Sequence, residues 1–251
     1  MDIVRRAAEL DTRNIEIARS YTYLQRQEER DLGSGGNLRK SESATYDVTQ
    51  LDGLRYRRLV ARNDQPLSPK EQQQQESKFQ KSLAESRRET KEQHDRRVAD
   101  WERKQQKERE PVKEMVNAFT FTLAGADTFN GVDTWVIDAA PKPEYHPKSQ
   151  AAAFFRKVKL RFWIGKSDYQ WVKLDMETLD TISFGGFLIR MAKGSHLTAE
   201  NTRINNEVWM LKRAELKGSI RIALVKVLRG EVIFTCSDYK KFQTSSRIVG
   251  Q

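Results

Sequence analysis

Between Lys157 and Met176, apolar and polar positions alternate with a period of two on either side of a short polar turn. Val158, Leu160, Phe162 and Ile164 alternate with Lys159, Arg161 and Trp163. After Gly165 to Asp168 the set Val172, Leu174 and Met176 alternates with Trp171, Lys173 and Asp175. Period two sends successive side chains to opposite faces of a strand, so the stretch predicts a β-hairpin with one apolar face and one basic, aromatic face. The alternation recurs along the chain. Tyr21 to Arg30, Leu38 to Leu51 and Leu54 to Arg62 read as strands, divided by a Gly-rich turn and by Asp52-Gly53; Phe119 to Leu123 and Val132 to Ala139 form a hairpin about Asn130-Gly131. Thr178 to Phe184, His196 to Ile204, Val208 to Leu216, Ser219 to Leu228 and Glu231 to Phe242 complete the set, with turns expected at Asn205-Asn206, Lys217-Gly218 and Arg229-Gly230. The expectation is a mainly β, α+β fold: a large curved antiparallel sheet of about eleven or twelve strands, whose apolar face needs a cover.

Helical periodicity supplies the cover. Asp2 can cap a helix in which Ile3, Ala7, Leu10, Asn14 and Ile17 share one stripe. Ser68-Pro69-Lys70-Glu71 is a capping box with proline at the first helical position. From there to Glu110 the chain is almost wholly polar, with Phe79, Leu83, Val98 and Trp101 as its large apolar members, and Pro111 is expected to end it. Residues 68–110 thus predict a charged helix or helical hairpin inserted in one domain spanning residues 1–251. It is either a solvated insertion held by i,i+4 charge pairs or an arm for a protein partner. The run Phe187 to Ala192 has apolar residues at both parities and reads as a mobile or buried element at a sheet edge.

Charge narrows the partners. The net charge is +10, and residues 142–251 alone carry 20 basic and 10 acidic groups, so the excess sits on the C-terminal sheet. Such a face could meet nucleic acid, acidic headgroups or an acidic protein, or serve as a solvated surface that resists edge pairing. With Phe162 opposite Val172, Trp163 would lie opposite Trp171 between Arg161 and Lys173. That arrangement could stack single-stranded nucleic acid or simply stabilise the sheet. At 37% hydrophobic and 32% charged residues, with no apolar run near the roughly 20 residues of a membrane span, a membrane-spanning helix is excluded. Residues 1–10 have no apolar core of the signal-peptide kind, so the expected form is cytoplasmic or a mature exported chain.

Catalytic templates find nothing to attach to. There is no nucleophile elbow, zincin helix, phosphate loop or dinucleotide fingerprint, and Gly33 to Gly36 lacks the Lys-Ser/Thr that a phosphate loop needs. His94, His146 and His196 lie in three unrelated contexts, and Cys236 is the sole cysteine, mid-strand, so no metal site or disulfide is expected. Asp175 and Glu177 share a strand face, as adjacent sheet positions routinely do. Neither an enzyme nor a cofactor is expected.

Three signatures together resemble the LolA/LolB-like superfamily of bacterial envelope lipoprotein carriers. One is Trp163-Ile164-Gly165, a polar turn and Tyr169-Gln170-Trp171-Val172-Lys173. A second is Asn130-Gly131-Val132-Asp133-Thr134-Trp135-Val136-Ile137 before a proline-rich loop. The third is Ile204-Asn205-Asn206-Glu207-Val208-Trp209 with an ending at Ser237-Asp238-Tyr239-Lys240-Lys241-Phe242. The match spans residues 119–242. Gly165 stands where the family carries an acidic residue, and the polar insertion is not a feature of the sorting carriers. The resemblance implies an unclosed barrel whose concave apolar face accepts acyl chains, in the periplasm or envelope of a Gram-negative-type bacterium. Its partners would be a lipid or acyl chain, a lipoprotein or another envelope protein, with peripheral membrane contact, and nucleic acid is disfavoured. The residues expected to line the cleft are Phe119, Phe121, Val158, Leu160, Phe162, Val172 and Leu174, with Phe187, Leu188 and Met191 as a movable rim. The alternative is an interaction or sensory module of the same fold acting through the charged helices.

Overall fold

Strands form where the two-residue alternation runs, and cross-strand register then decides which residues share a face. The computed structural model describes residues 2–33, 35–51, 54–149, 152–184, 189–222 and 226–242. The chain opens with α1 (Asp2–Ala18), followed by β1 (Tyr21–Leu32), β2 (Leu38–Leu51), β3 (Leu54–Arg62) and the short β4 (Gln65–Pro66). Next come α2 (Pro69–Arg88) and α3 (Lys91–Ala118), then β5 (Phe119–Phe129), β6 (Val132–Pro141) and a 3-10 helix (Ala153–Lys157). The remainder is β7 (Val158–Gly165), β8 (Trp171–Thr178), β9 (Ile182–Phe184), β10 (Ile189–Met191), β11 (His196–Ile204), β12 (Val208–Ile222) and β13 (Lys226–Lys241).

The thirteen strands form one sheet in the order β4-β3-β2-β1-β13-β12-β11-β8-β7-β6-β5, antiparallel throughout, and β10 adds to the far end of β12 with β9 beside it. Among the described residues the path has two ends, β4 and β5, that do not pair, so the sheet is an unclosed barrel. The chain leaves one edge at β4, passes through α2 and α3, and re-enters at the other edge as β5. The charged helices therefore connect the two lips of the opening.

The capping box at Ser68 forms as its sequence requires: Glu71 N donates to Ser68 Oγ, and Ser68 N donates to the Glu71 carboxylate at 3.2 Å. A second box, Thr90 with Gln93, starts α3. Pro111 does not end that helix, which continues to Ala118. Proline removes one rung of the hydrogen-bond ladder, but Met115 and Ala118 of the last turns are buried in the main core and hold the segment helical. The turn at Asn130-Gly131 is present, with both residues at positive φ (50° and 78°), the geometry of a tight hairpin.

Two expected turns are absent. β12 and β13 run unbroken past Lys217-Gly218 and Arg229-Gly230, and the two glycines sit directly opposite each other as Gly218↔Gly230. Their role is close approach. A Cβ on Gly230 would lie inside the Arg30 carbonyl oxygen, and Gly218, at φ +148°, is pressed against Ser195. Within the Phe187 to Ala192 run, residues 189–191 form a short strand off the main path of the sheet, with Arg190 exposed and Met191 buried, and residues 187–188 lie outside the described ones.

On the outer face of β1, Glu28 accepts hydrogen bonds from Arg26 Nη1 at 2.5 Å, Arg30 Nε at 2.6 Å and Ser41 Oγ at 3.1 Å. The guanidinium of Arg30, then that of Arg26, holds its carboxyl down from 4.5 to about 2. A depressed carboxyl contributes stability that is complete above the unfolded value near 4.5 and is lost as pH falls toward 2. Thermal melts of the wild type should therefore drop across that window, and Glu28→Gln should flatten the drop while lowering the melting temperature at neutral pH.

Candidate functional site

The main apolar cluster lies on the inner face of the sheet. Val158, Leu160, Phe162 and Ile164 of β7 point inward with Ile137 and Ala139 of β6, Phe119 of β5, Met176 of β8 and Val232 of β13. Aromatic edges meet there, Phe119 with Phe155 at 5.4 Å and Phe162 with Trp171 at 4.9 Å between ring centroids. Part of the face is covered from above by Val4 and Ala7 of α1, by Met115 and Ala118 of α3, and by Phe155.

α1 is fixed by an unusual device. The Asn14 side chain donates from Nδ2 to the Trp209 carbonyl at 2.7 Å and accepts from the Trp209 amide at 2.7 Å, completing the backbone of β12 as a neighbouring strand would. Arg6 stacks 4.2 Å from the Tyr169 ring at one end, and Ile17 and Ala18 pack on Tyr21, Val208 and Met210 at the other.

Further across the sheet the inner face is only half covered. Register gives a row Phe162↔Leu174, Leu174↔Ala199, Ala199↔Ala214 and Ala214↔Phe234, beside the row Leu160↔Met176, Met176↔Leu197, Leu197↔Leu216 and Leu216↔Val232. Leu174, Ala199, Ala214, Phe234, Leu197 and Leu216 are each partly exposed. Two alanines side by side, flanked by larger apolar groups, make a shallow trough in the floor of the barrel.

Of the residues expected to line a cleft, Phe119, Val158, Leu160 and Phe162 are fully buried core, Phe121 and Leu174 are half-buried on the same face, and Met191 is buried in β10. Phe187 and Leu188 lie outside the described residues. Val172 is on the other face. A β-bulge pairs Trp163 with Lys173 but Ile164 with Trp171, leaving Val172 unpaired and reversing the side-chain parity there. Val172 packs with Trp163 and Trp209 in an outer cluster, and Trp171 turns inward. The same bulge removes the Trp163–Trp171 stacking platform. Trp163 is buried, donates from Nε1 to Asp127 at 3.0 Å, and is capped by Lys173 at 4.5 Å. Leu197, Ala199, Ala214, Leu216 and Phe234 were not singled out from the sequence. Parity marks each as inward, but their adjacency emerges only from register across four strands.

Other chemistry is dispersed. Among the described residues no group of three or more His, Cys, Asp or Glu side chains gathers. The buried Cys236 thiol is pushed up by burial, away from thiolate character. Glu177 is paired with Lys159 at 2.7 Å and Asp138 with Arg161 at 2.5 Å, so these carboxylates are held low by their partners as ordinary cross-strand ion pairs.

No protein-family model matches the chain, and no curated protein matches it in sequence. Similar chains are found among solved structures. A putative outer membrane lipoprotein-sorting protein domain from Vibrio parahaemolyticus is 10% identical, with 96% of this chain and 94% of that one covered and a TM-score of 0.39. A LolA superfamily protein from Nitrosomonas europaea is 11% identical over 100% and 96%, with a TM-score of 0.37. MucB of Pseudomonas aeruginosa, solved in complex with MucA, is 10% identical over 93% and 94%, with a TM-score of 0.24.

Proposed function

We propose that the protein is a non-enzymatic envelope protein that holds an acyl chain, free or attached to a lipidated partner, against the inner face of its unclosed barrel. The observation that carries this reading is the half-covered trough over Ala199 and Ala214, bordered by Leu174, Leu197, Leu216 and Phe234. A contiguous apolar strip inside an open sheet is unfavourable in water and favourable for a hydrocarbon chain, each buried methylene contributing roughly 0.8 kcal/mol. Binding of that kind needs apolar walls and no reacting group. The connection of both sheet edges through α2 and α3 gives the opening a polar rim under which a chain could lie. The exported location and lipoprotein-type cargo belong to the same reading and rest on the sequence resemblance.

Native mass spectrometry of protein purified without detergent from a lipid-containing host, followed by organic extraction, tests the proposal. Near-stoichiometric fatty acid or phospholipid is the expected result. A uniformly apo mass that also fails to take up added lipid would sink it, and would favour a protein partner on α2, a 20-residue helix with no buried side chain.

A further inference from the structure

Beyond the trough, the inner face changes character. Phe234 of β13 lies opposite Gln27 of β1, and Cys236 opposite Gln25, which in turn lies opposite Tyr46 of β2. The same face continues through Tyr23↔Val48 and Val48↔Arg57 onto β3, with Arg55 two residues away opposite Gln50. Arg57 sits 4.2 Å over the Tyr46 ring and Arg55 6.0 Å from the Tyr23 ring, whose neighbour Tyr239 is 5.2 Å away. The apolar trough therefore runs into a wall of tyrosines carrying two guanidinium groups.

These two arginines differ from the others on their strand. Arg58 points to the opposite face and is held by Asp47 and Glu76, each at 3.0 Å, while Arg62 has Glu71 at 3.5 Å. Arg55 and Arg57 are exposed, and among the described residues neither has a carboxylate partner. Two like charges at alternate positions of one strand face stand roughly 7 Å apart and repel. The tyrosine faces, close to Arg57 and at the limit of contact for Arg55, attract the cations without using their N–H donors. Their charge also reaches the inner face, since both oppose the rise that burial imposes on the Cys236 thiol.

We infer that the ligand is an amphiphile with an anionic head, its chain in the trough over Ala199 and Ala214 and its carboxylate or phosphate on Arg55 and Arg57. This rests on the acyl-binding reading above and adds the charge of the head. A planar guanidinium gives a carboxylate or phosphate two parallel hydrogen bonds, and a pair of them can grip one head from both sides. Ala214 of β12 and Arg57 of β3 are four strand spacings apart, roughly 19 Å, and about four residues apart along the strands, roughly 13 Å, so a chain of about eighteen carbons lying diagonally along the face would join them.

The test uses the delipidated full chain and three oleoyl probes: oleate, oleoyl lysophosphatidic acid and the neutral monoolein. The wild type should bind at least one anionic probe tenfold or more tightly than monoolein, and the tighter anion identifies carboxylate or phosphate as the preferred head. The double variant Arg55→Gln/Arg57→Gln should lose that preference with monoolein binding unchanged, and Arg55→Lys/Arg57→Lys should retain part of it. Both side chains are exposed, and a matching circular dichroism melt confirms the variants' fold. Equal affinity of the wild type for all three probes, or an undiminished preference in the glutamine variant, overturns the inference while leaving acyl binding in place. Uptake of none of them overturns both.

Discussion

Gly230→Ala should destabilise the protein by about 3 kcal/mol, the upper end of what overpacking a filled interior costs. The added methyl would fall inside the Arg30 carbonyl oxygen, 2.9 Å from its carbon and 3.2 Å from the Leu32 amide. All three are backbone atoms of the neighbouring β1, so no side chain can swing aside. Relief requires β1 and β13 to separate, and that breaks the register that joins the N-terminal strands to the rest of the sheet. The urea midpoint should fall without a change in m-value. A loss below 0.5 kcal/mol would mean that the two strands approach less closely than described. Gly35→Ala is the control, its nearest foreign atom being 3.9 Å away, and should cost far less.

Ala214→Trp should abolish acyl uptake, lowering affinity by at least tenfold, without loss of stability. Ala214 is partly exposed, with Ala199 on one side and Phe234 on the other, so an indole has room to lie along the trough and bury its own apolar surface there. It would then occupy the space where a chain is proposed to lie. Equilibrium titration with a fluorescent fatty acid, alongside a thermal melt, separates the two effects. Unchanged uptake in a folded variant would place the ligand elsewhere. A lowered melting temperature would show that the trough is already filled by the protein's own side chains. Phe162 is a poorer position for this experiment, being buried core whose truncation would cost roughly 3–5 kcal/mol whether or not lipid binds.

The large sheet and the capped start of α2 were legible in the sequence because each depends on local rules, alternation, turn residues and a capping box, whereas the open form of the sheet was expected only from the family resemblance. What escaped was set by contacts between distant segments. Lys217-Gly218 and Arg229-Gly230 look like turns by composition, yet each glycine is there to admit a neighbouring backbone or side chain, Arg30 for one and Ser195 for the other. Val172 has the parity of Leu174, and only the bulge opposite Ile164 sends it outward. Pro111 is a helix breaker by its own chemistry, but burial of Met115 and Ala118 decides the matter. The trough and the arginines of β3 likewise arise from register among strands far apart in the chain. A periodic pattern read one strand at a time gives the face of each residue but not its neighbours.

The pairing of the first strand with the last has a kinetic side. Tyr21 lies opposite Lys241 and Arg30 opposite Glu231, so the seam between β1 and β13 closes across nearly the whole chain. β1 to β4 can form a meander early, but its attachment to the central strands must wait until the C-terminal residues are available. Contacts of such long range carry a large loop-closure entropy and place folding in the slow, millisecond-to-second class of all-β topologies. Until the seam closes, the inner faces of both halves stand open to water and to one another's edges. The strip proposed to hold an acyl chain is therefore also the surface left open to water while the sheet is incomplete, and a ligand that fills it early would act as a folding aid.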